Sequence, residues 1–207
     1  MNIDFLYSNI DQISPSNLAL LNIPNELLLL KNSSLDLNRV KFIFSVEILL
    51  KIIKKPNDYR LLIDILLFVL DKYKDTSFII FRLRIIKNIS SFFYFVPMSF
   101  YLVDLLNQTI NTNESDESQT YDSLSINKVD TTFVLGEIKS LIFENMNKFS
   151  DKYGFIEVVG VMIEGIKKIS RGIYKEYCEN IISGLNKHKE YVKKCRTENI
   201  KPLKLIK

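Results

Sequence analysis

The sequence has few of the residues that interrupt helices or build catalytic and metal sites. Its 207 residues include 6 glycines, 5 prolines, 2 cysteines and 1 histidine, and no tryptophan. This shortage of turn-forming residues, together with long apolar runs broken by Lys, Asp and Glu at helical spacing, favours helices over a sheet. One histidine and two cysteines are too few for a zinc cage, which takes four well-spaced ligands. We therefore expect an all-α chain without a metal site.

The motifs of common catalytic and cofactor sites are also missing. Neither the phosphate-binding G-x-x-x-x-G-K-[ST] nor the dinucleotide-binding G-x-G-x-x-G occurs. His188 lies in a lysine-rich segment that we expect to face solvent, with no acid and nucleophile to complete a triad. Cys178 and Cys195, the only cysteines, fit a reducing compartment. We therefore expect no catalytic residue, no cofactor and no small-molecule substrate, so that the chain is not an enzyme.

No segment is predicted to cross a membrane or to direct secretion. The first residues, MNIDFLYSN, lack the basic region and the long apolar region of a signal peptide. The strongest membrane candidate is the uncharged run from Asn88 to Val103, which contains three serines and Pro97. It is shorter than the ~20 apolar residues that a spanning helix needs. We interpret it as part of a buried helix pair.

The patterning divides the chain into five segments. Residues 1–36 are predicted to form short helices, 37–106 a helical repeat core, 107–132 a mobile, polar and acidic linker, 133–196 C-terminal helical repeats with a basic end, and 197–207 a basic tail. The linker would be a solvated connection or a contact for a basic partner. Predicted helix starts in the core recur about every 40 residues, as in HEAT and armadillo repeats. This spacing, together with a family resemblance described below, predicts a HEAT/armadillo-like α-solenoid of paired antiparallel helices.

One arginine lies where the helical pattern predicts apolar residues. Arg82 falls in the middle of the apolar arc of a helix predicted over residues 78–93. Because a guanidinium keeps its charge, it needs a carboxylate or carbonyls nearby, or it reaches out to a ligand or partner. Asp64 is the first candidate for a core ion pair with Arg82, and Glu47 is the second. Asp64 interrupts Leu61–Leu70, which is apolar nearly all round and is predicted to be a buried helix.

Positive charge is concentrated at the C-terminal end. Residues 166–207 carry 12 Lys+Arg and 4 acids (12 − 4 = +8), whereas the first 165 residues carry 16 and 20 (16 − 20 = −4). A basic helix and tail attract phosphate or an acidic partner, although such lysines also serve only to keep a helix solvated. The candidate nucleic-acid contacts are Lys167, Lys168, Arg171, Lys187, Lys189, Lys193, Lys194 and Arg196. Tyr174, Tyr177 and Tyr191 lie among them and are candidates for stacking on bases.

Two stretches together resemble a known family. An aromatic residue precedes Arg82 in a helix of branched apolar residues, a polar patch follows, and Phe95-Val96-Pro97 opens the next helix; Tyr153-Gly154-Phe155-Ile156-Glu157 lies further along. This order resembles the core of the nucleolar complex protein 2 family of large-subunit ribosome assembly factors, in a shortened form. The resemblance covers residues 59–196. Ile80 and Ile156 stand where the family usually has proline.

The resemblance implies a non-catalytic scaffold in large (60S) subunit biogenesis. It implies a protein of the nucleus, nucleolus and nucleoplasm that binds the first and third nucleolar complex family proteins and the pre-60S particle, and supports rRNA processing and intranuclear transport. The candidate partner-binding residues are Phe78, Phe81, Phe155 and Glu157, and the basic end would contact rRNA. The alternative is a generic helical adaptor in trafficking or at a membrane surface, with residues 88–103 as the contact.

Overall fold

The computed structural model describes residues 2–35, 37–92, 96–116 and 131–202. All regular secondary structure in these ranges is helical, which confirms the all-α prediction. The α-helices are α1 (Ile3–Ser8), α2 (Pro15–Ala19), α3 (Ile23–Ser33), α4 (Arg39–Ile52), α5 (Pro56–Lys72), α6 (Ile79–Phe92), α7 (Val96–Asp116), α8 (Thr131–Phe149), α9 (Phe155–Ile169) and α10 (Lys175–Thr197). Short 3-10 turns lie at Ile10–Gln12, Thr76–Phe78 and Gly172–Tyr174.

Capping side chains fix where several helices begin. The side chains of Asn2, Ser14, Asn22 and Asn38 each accept a hydrogen bond from a backbone N–H in the first turn of α1, α2, α3 and α4. Proline occupies the first turn of α2, α3 and α5, where its missing N–H leaves no helical hydrogen bond unmade. Gly154, at φ 82°, precedes α9 in a left-handed conformation that favours glycine.

The chain forms two compact units, residues 1–92 and 93–207. The division falls between α6 and α7, and not in the linker predicted over 107–132. Helix α7 continues to Asp116 because Leu102, Leu106 and Ile110 form a buried stripe at helical spacing. The prediction of a linker is therefore wrong for residues 107–116 and for 131–132, which begin α8. Residues 117–130 lie outside the described part of the chain.

In the first unit, helices that are two apart in sequence pack side by side. Helix α3 packs against α5, and α4 against α6, while α3 with α4 and α5 with α6 form consecutive pairs. Arg39, at the start of α4, donates to the Ser77 carbonyl at the start of α6 (2.8 Å). At the opposite ends, the Tyr73 hydroxyl after α5 donates to the Ser34 carbonyl after α3 (2.9 Å). Matching ends are therefore joined in both pairs of helices that are two apart, so these helices run parallel.

Helix α5 has a wet face, contrary to the prediction that it is buried all round. Leu61 is 41% exposed and Phe68 is 48% exposed, and Asp64 between them is exposed as well. The opposite side of α5, which carries Leu62, Leu66 and Val69, packs into the core of the unit. The buried apolar residues of that core include Leu27, Leu30, Phe42, Val46, Leu49, Leu62, Leu66, Val69, Ile85, Ile86 and Ile89.

In the second unit, α7 packs against α8 and α9, and α9 packs against α10. Near the start of α10, the Tyr177 hydroxyl donates to the Leu135 carbonyl of α8 (2.5 Å). Near its end, Arg196 donates to the carbonyl of Lys152, just after α8 (2.6 Å). Helices α8 and α10 therefore run parallel. Glycine at position 184 leaves room for the Phe143 side chain of α8, since a Cβ atom there would lie 2.6 Å from the ring.

Candidate functional site

Arg82 is fully buried, but the carboxylates proposed to pair with it are not. The side chain of Arg82 is 0% exposed. Asp64 lies on the exposed side of α5, and Glu47 is exposed on α4. A core ion pair between Arg82 and Asp64 is therefore not supported. Asp64 was predicted to be buried because it interrupts an apolar run. It follows Leu61 by three residues and precedes Phe68 by four, so all three lie on the solvent-exposed side of α5.

Two of the four candidate partner-binding residues belong to the core. Phe81 packs edge-on against Phe42 (ring centroids 5.8 Å apart), and Phe155, 0% exposed, packs edge-on against Phe149 (5.7 Å). The prediction that Phe81 and Phe155 contact a partner is therefore wrong for the folded chain. Phe78 is half-buried beneath the Arg39 guanidinium, which lies 3.8 Å from the ring centroid.

The fourth candidate, Glu157, is exposed in the first turn of α9. It is accessible to a partner, and its role stays a prediction. Its neighbour Phe155 turns inward because Gly154 reverses the backbone just before the helix. Tyr153, before that turn, is fully exposed.

The basic candidates lie at the surface, and several of them contact neighbours within the fold. Seven of the eight are exposed, and Lys189 is half-buried with its ammonium next to Gly160 of α9. Five of the exposed residues have a neighbour within the fold. Lys167 pairs with Glu164 (2.8 Å), Lys193 with Glu190 (2.7 Å) and Lys194 with Glu198 (3.8 Å), while Arg171 donates to Asn111 (2.6 Å) and Arg196 to the Lys152 carbonyl. The contact of these residues with nucleic acid stays a prediction.

Two of the three tyrosines in this region, Tyr177 and Tyr191, contact other residues of the second unit. The hydroxyl of Tyr177 is bonded to α8, and burial raises its pKa well above the usual range. The ring of Tyr191 stacks against that of His188, with the centroids 6.4 Å apart. Base stacking by either residue would therefore compete with contacts inside the second unit.

His188 is buried, contrary to the prediction that it faces solvent. It is 1% exposed, and its ring packs edge-on against Phe155 (5.3 Å). Burial lowers the pKa of the imidazole, and the backbone at Met146 partly opposes that shift. Its burial could have been predicted from the sequence, because His188 falls in a series of apolar residues and cysteines that recur at helical spacing along α10. The buried residues of α10 are Cys178, Ile181, Leu185, His188, Val192 and Cys195, and both cysteines are free thiols.

Sequence reasoning also missed an exposed apolar surface on the first unit. We call it the α3–α5 surface and define it by Leu28 (55% exposed), Leu35 (65%), Leu61 (41%) and Phe68 (48%). The side of α5 that carries Phe68 borders the end of α3, because the Lys72 ammonium lies 3.4 Å from the Ser34 carbonyl and 3.3 Å from the Leu35 carbonyl. The same ammonium lies 5.8 Å from the Phe68 ring centroid.

Among the residues that the structure describes, no group of three His, Cys, Asp or Glu side chains is placed to hold a metal ion. Within the same ranges, no helix has the length and apolarity needed to cross a bilayer. Comparison of the chain with protein-family models, with curated proteins and with solved structures finds no match in any of the three.

Proposed function

We propose that the chain is a non-catalytic helical scaffold, with HEAT/armadillo-like paired helices, that binds other macromolecules during assembly of the large ribosomal subunit. The observation that supports the scaffold is the packing of α3 on α5 and of α4 on α6, with matching ends of each pair joined by a hydrogen bond. Stacked hairpins of this kind present one row of helices as a continuous binding surface. In the second unit, α7 packs on α9, which is also two helices further along the chain.

The assignment to ribosome assembly is supported by the resemblance to the nucleolar complex protein 2 family alone. That resemblance depends on the residues around Arg82 and on Tyr153–Glu157. It gives the proposed partners, which are the first and third nucleolar complex family proteins and the pre-60S particle. It also gives the proposed location, in the nucleolus and nucleoplasm.

The basic end of α10 is the part that we expect to contact rRNA. Lys187 and Lys194 lie seven residues apart, two helical turns along the same side, and both are exposed. Phosphate contacts made by such lysines weaken steeply as the salt concentration rises. Helix α10 would then attach the second unit to RNA, and the first unit would remain available for protein partners.

Gradient sedimentation of a tagged full-length chain tests the proposal. We expect it to co-sediment with large-subunit precursors and to purify with the two nucleolar complex proteins. Charge reversal at Lys187 and Lys194 to Glu should weaken the association, whereas the same reversal at the exposed Lys51 and Lys54 of the first unit should have less effect. Recovery at the top of the gradient, or with membranes after a high-salt wash, would contradict the proposal, and the second outcome would favour the adaptor alternative.

A further inference from the structure

We infer that α1 covers a binding groove of the first unit and gives it up to a partner protein, which inserts the beginning of an amphipathic helix with an acidic residue in its first turn. The groove is defined by Glu26 of α3 and by Lys41 and Phe44 of α4, whose side chains contact α1. Helix α1 is then a tethered occupant that a stronger helix displaces. This inference rests on the proposed scaffold function for its purpose, because it names the kind of partner that the first unit would bind.

Helix α1 is anchored in the unit by two side chains. Ile3 is 3% exposed and Leu6 is 0% exposed, and the other four residues of α1 are not buried. The helix has six residues, whereas an isolated helix of fewer than about 12–15 residues is marginal in water. It is therefore helical because it is docked, and it should lose its helical form when it leaves the groove.

The segment that joins α1 to α3 contributes little to the core. Residues 8–20, all of which the structure describes, include the 3-10 turn Ile10–Gln12 and helix α2, and none of them is buried. An element with few buried contacts opens locally at a fraction of the free energy of global unfolding. Helix α1 can therefore detach on this exposed tether while the helices from α3 to α6 stay folded.

One group of the groove recognises the beginning of a helix. The carboxylate of Glu26, 3% exposed, accepts a hydrogen bond from the backbone N–H of Ile3, the first residue of α1 (3.1 Å). A helix leaves backbone N–H groups without an intrahelical partner only in its first turn, where its dipole also favours a negative charge. When α1 departs, the carboxylate loses this donor. A ligand that restores the hydrogen bond must begin its own helix at Glu26.

Two side chains of α4 set the sequence pattern of the ligand. The Lys41 ammonium pairs with Asp4, in the first turn of α1, at 3.0 Å. The ring of Phe44 meets that of Tyr7 edge-on, with the centroids 5.4 Å apart. Together with the two buried anchors, these contacts define a pattern: an aliphatic residue, an acidic residue directly after it, a second aliphatic residue two positions further on, and then an aromatic residue. Anchors at i, i+3 and i+4 are typical of a helix bound in a groove.

The tether determines how strong a partner must be. A short flexible connection keeps its segment at an effective concentration on the order of mM, so a weak partner cannot compete with α1. A longer helix has more of its turns formed before it binds, and it therefore loses less conformational entropy on docking. We expect the physiological partner to be such a helix, carrying the same pattern in its first two turns.

The first test measures the binding of a labelled peptide to the full chain by fluorescence anisotropy. The peptide has the sequence of residues 2–9, with a lactam bridge between the positions of Phe5 and Asn9, which are exposed in the chain. The bridge forms the helix before binding. Leu6→Ser in the chain removes one anchor of α1 and should raise the affinity for the peptide by at least about tenfold. Phe5→Ser, a matched control at an exposed position of the same helix, should leave it unchanged.

A double-mutant cycle in the Leu6→Ser chain tests the acidic position. Lys41→Gln should weaken the peptide by about twofold to fivefold, the range of an exposed ion pair. The same change should not affect a peptide that has asparagine in place of Asp4. Equal effects on both peptides would contradict the assigned role of the acidic residue.

Hydrogen exchange tests the displacement without any substitution in the chain. In the wild-type chain, backbone amides of α1 should exchange faster than those of α4, because α1 opens locally. An excess of the bridged peptide should accelerate exchange in α1 further, since it holds the groove while α1 is detached. Exchange in α4 should not become faster.

Several outcomes would overturn the inference. Equal binding of the peptide to the wild-type and Leu6→Ser chains would do so, as would α1 amides that exchange as slowly as those of α4. Loss of the circular dichroism signal of the whole unit in Leu6→Ser would also do so, because α1 would then be an integral part of the core. A concentration-dependent dimer that Leu6→Ser abolishes would assign the groove to α1 of a second copy.

The gradient experiment separates this inference from the proposed function. A chain that co-sediments with large-subunit precursors but never binds the peptide retains the function and loses the groove as a partner site. A chain that binds the peptide when α1 is released, yet sediments alone, retains the groove and loses the role in ribosome assembly.

Discussion

Gly184 of α10 faces the ring of Phe143 of α8 so closely that any larger residue at position 184 would press into the phenyl group. We predict that Gly184→Ala lowers the free energy of unfolding, because the overlap outweighs the gain in helix propensity. Gly136→Ala is the matched control, since a Cβ atom in that exposed turn of α8 would meet nothing within 4 Å. The two variants should differ by about 1–3 kcal/mol in urea unfolding. Equal stabilities would show that the ring moves aside freely.

The burial of His188 should make the second unit sensitive to acid. Burial lowers the folded-state pKa below the ordinary value of 6.5, so the unfolded chain binds more protons between those two values. The free energy of unfolding should therefore be fully maintained above 6.5 and fall as the pH drops towards the folded-state pKa. Because the chain has one histidine, His188→Phe should remove this part of the pH dependence. Urea unfolding at about pH 7.5 and about pH 5.5 measures the difference. Parallel losses in both proteins would contradict the prediction.

Glu26 should have the opposite pH dependence in the first unit. This carboxylate, 3% exposed, accepts a hydrogen bond from the Ile3 N–H (3.1 Å), and burial raises its pKa above 4.5. The folded state therefore binds more protons than the unfolded chain just above 4.5, and its stability declines as the pH rises through the folded-state pKa. We expect Glu26→Gln to be more stable than the wild type at neutral pH, since the amide keeps an acceptor for Ile3 without the buried charge.

A second variant separates the two roles of Glu26. Glu26→Leu removes the acceptor and leaves the Ile3 N–H buried without it, which costs about 1–3 kcal/mol. Thermal unfolding should therefore rank the glutamine variant above the leucine variant. The reverse order would mean that apolar packing matters more than the hydrogen bond that attaches α1.

Substitution of Arg82 should affect the first unit much more than substitution of its neighbour Arg84. Arg82 is fully buried and interacts within the fold, whereas Arg84 is exposed on the same helix. Arg82→Ala should lower the free energy of unfolding by about 3–5 kcal/mol, because it leaves a cavity and removes the guanidinium from its partners. Arg84→Ala should change it by no more than about 0.5 kcal/mol. A similar small effect for both would indicate that the core tolerates the loss of Arg82.

Helices with a one-sided apolar pattern and a clear start could be predicted from the sequence. Helix α6 was predicted over 78–93 and spans Ile79–Phe92, and α9 was foreseen because apolar residues recur at helical spacing after Gly154. The full length of α7 is harder to predict, because residues 107–116 have the polar composition of a linker. Its polar second half carries Ile110 in line with Leu106, and that single apolar residue extends the buried stripe into a polar segment.

The candidate site was harder to predict because exposure depends on neighbours that no local pattern specifies. The run around Asp64 reads as apolar on every side, yet only packing decides that Leu62, Leu66 and Val69 turn inward while Leu61 and Phe68 stay outside. The opposite error concerns His188. Its lysine neighbours in the sequence predict an exposed side chain, but its position along α10 places it on the buried side of the helix.

The free thiols of α10 provide a means of timing the opening of the second unit. Cys178 is 0% exposed, and burial raises its pKa to about 11. Cys195 is 5% exposed, so both thiols are shielded from solvent while the helix is packed. An alkylating reagent would modify the chain only after α10 separates from its neighbours. The rate of labelling, followed by mass spectrometry, therefore reports how often this helix detaches under native conditions.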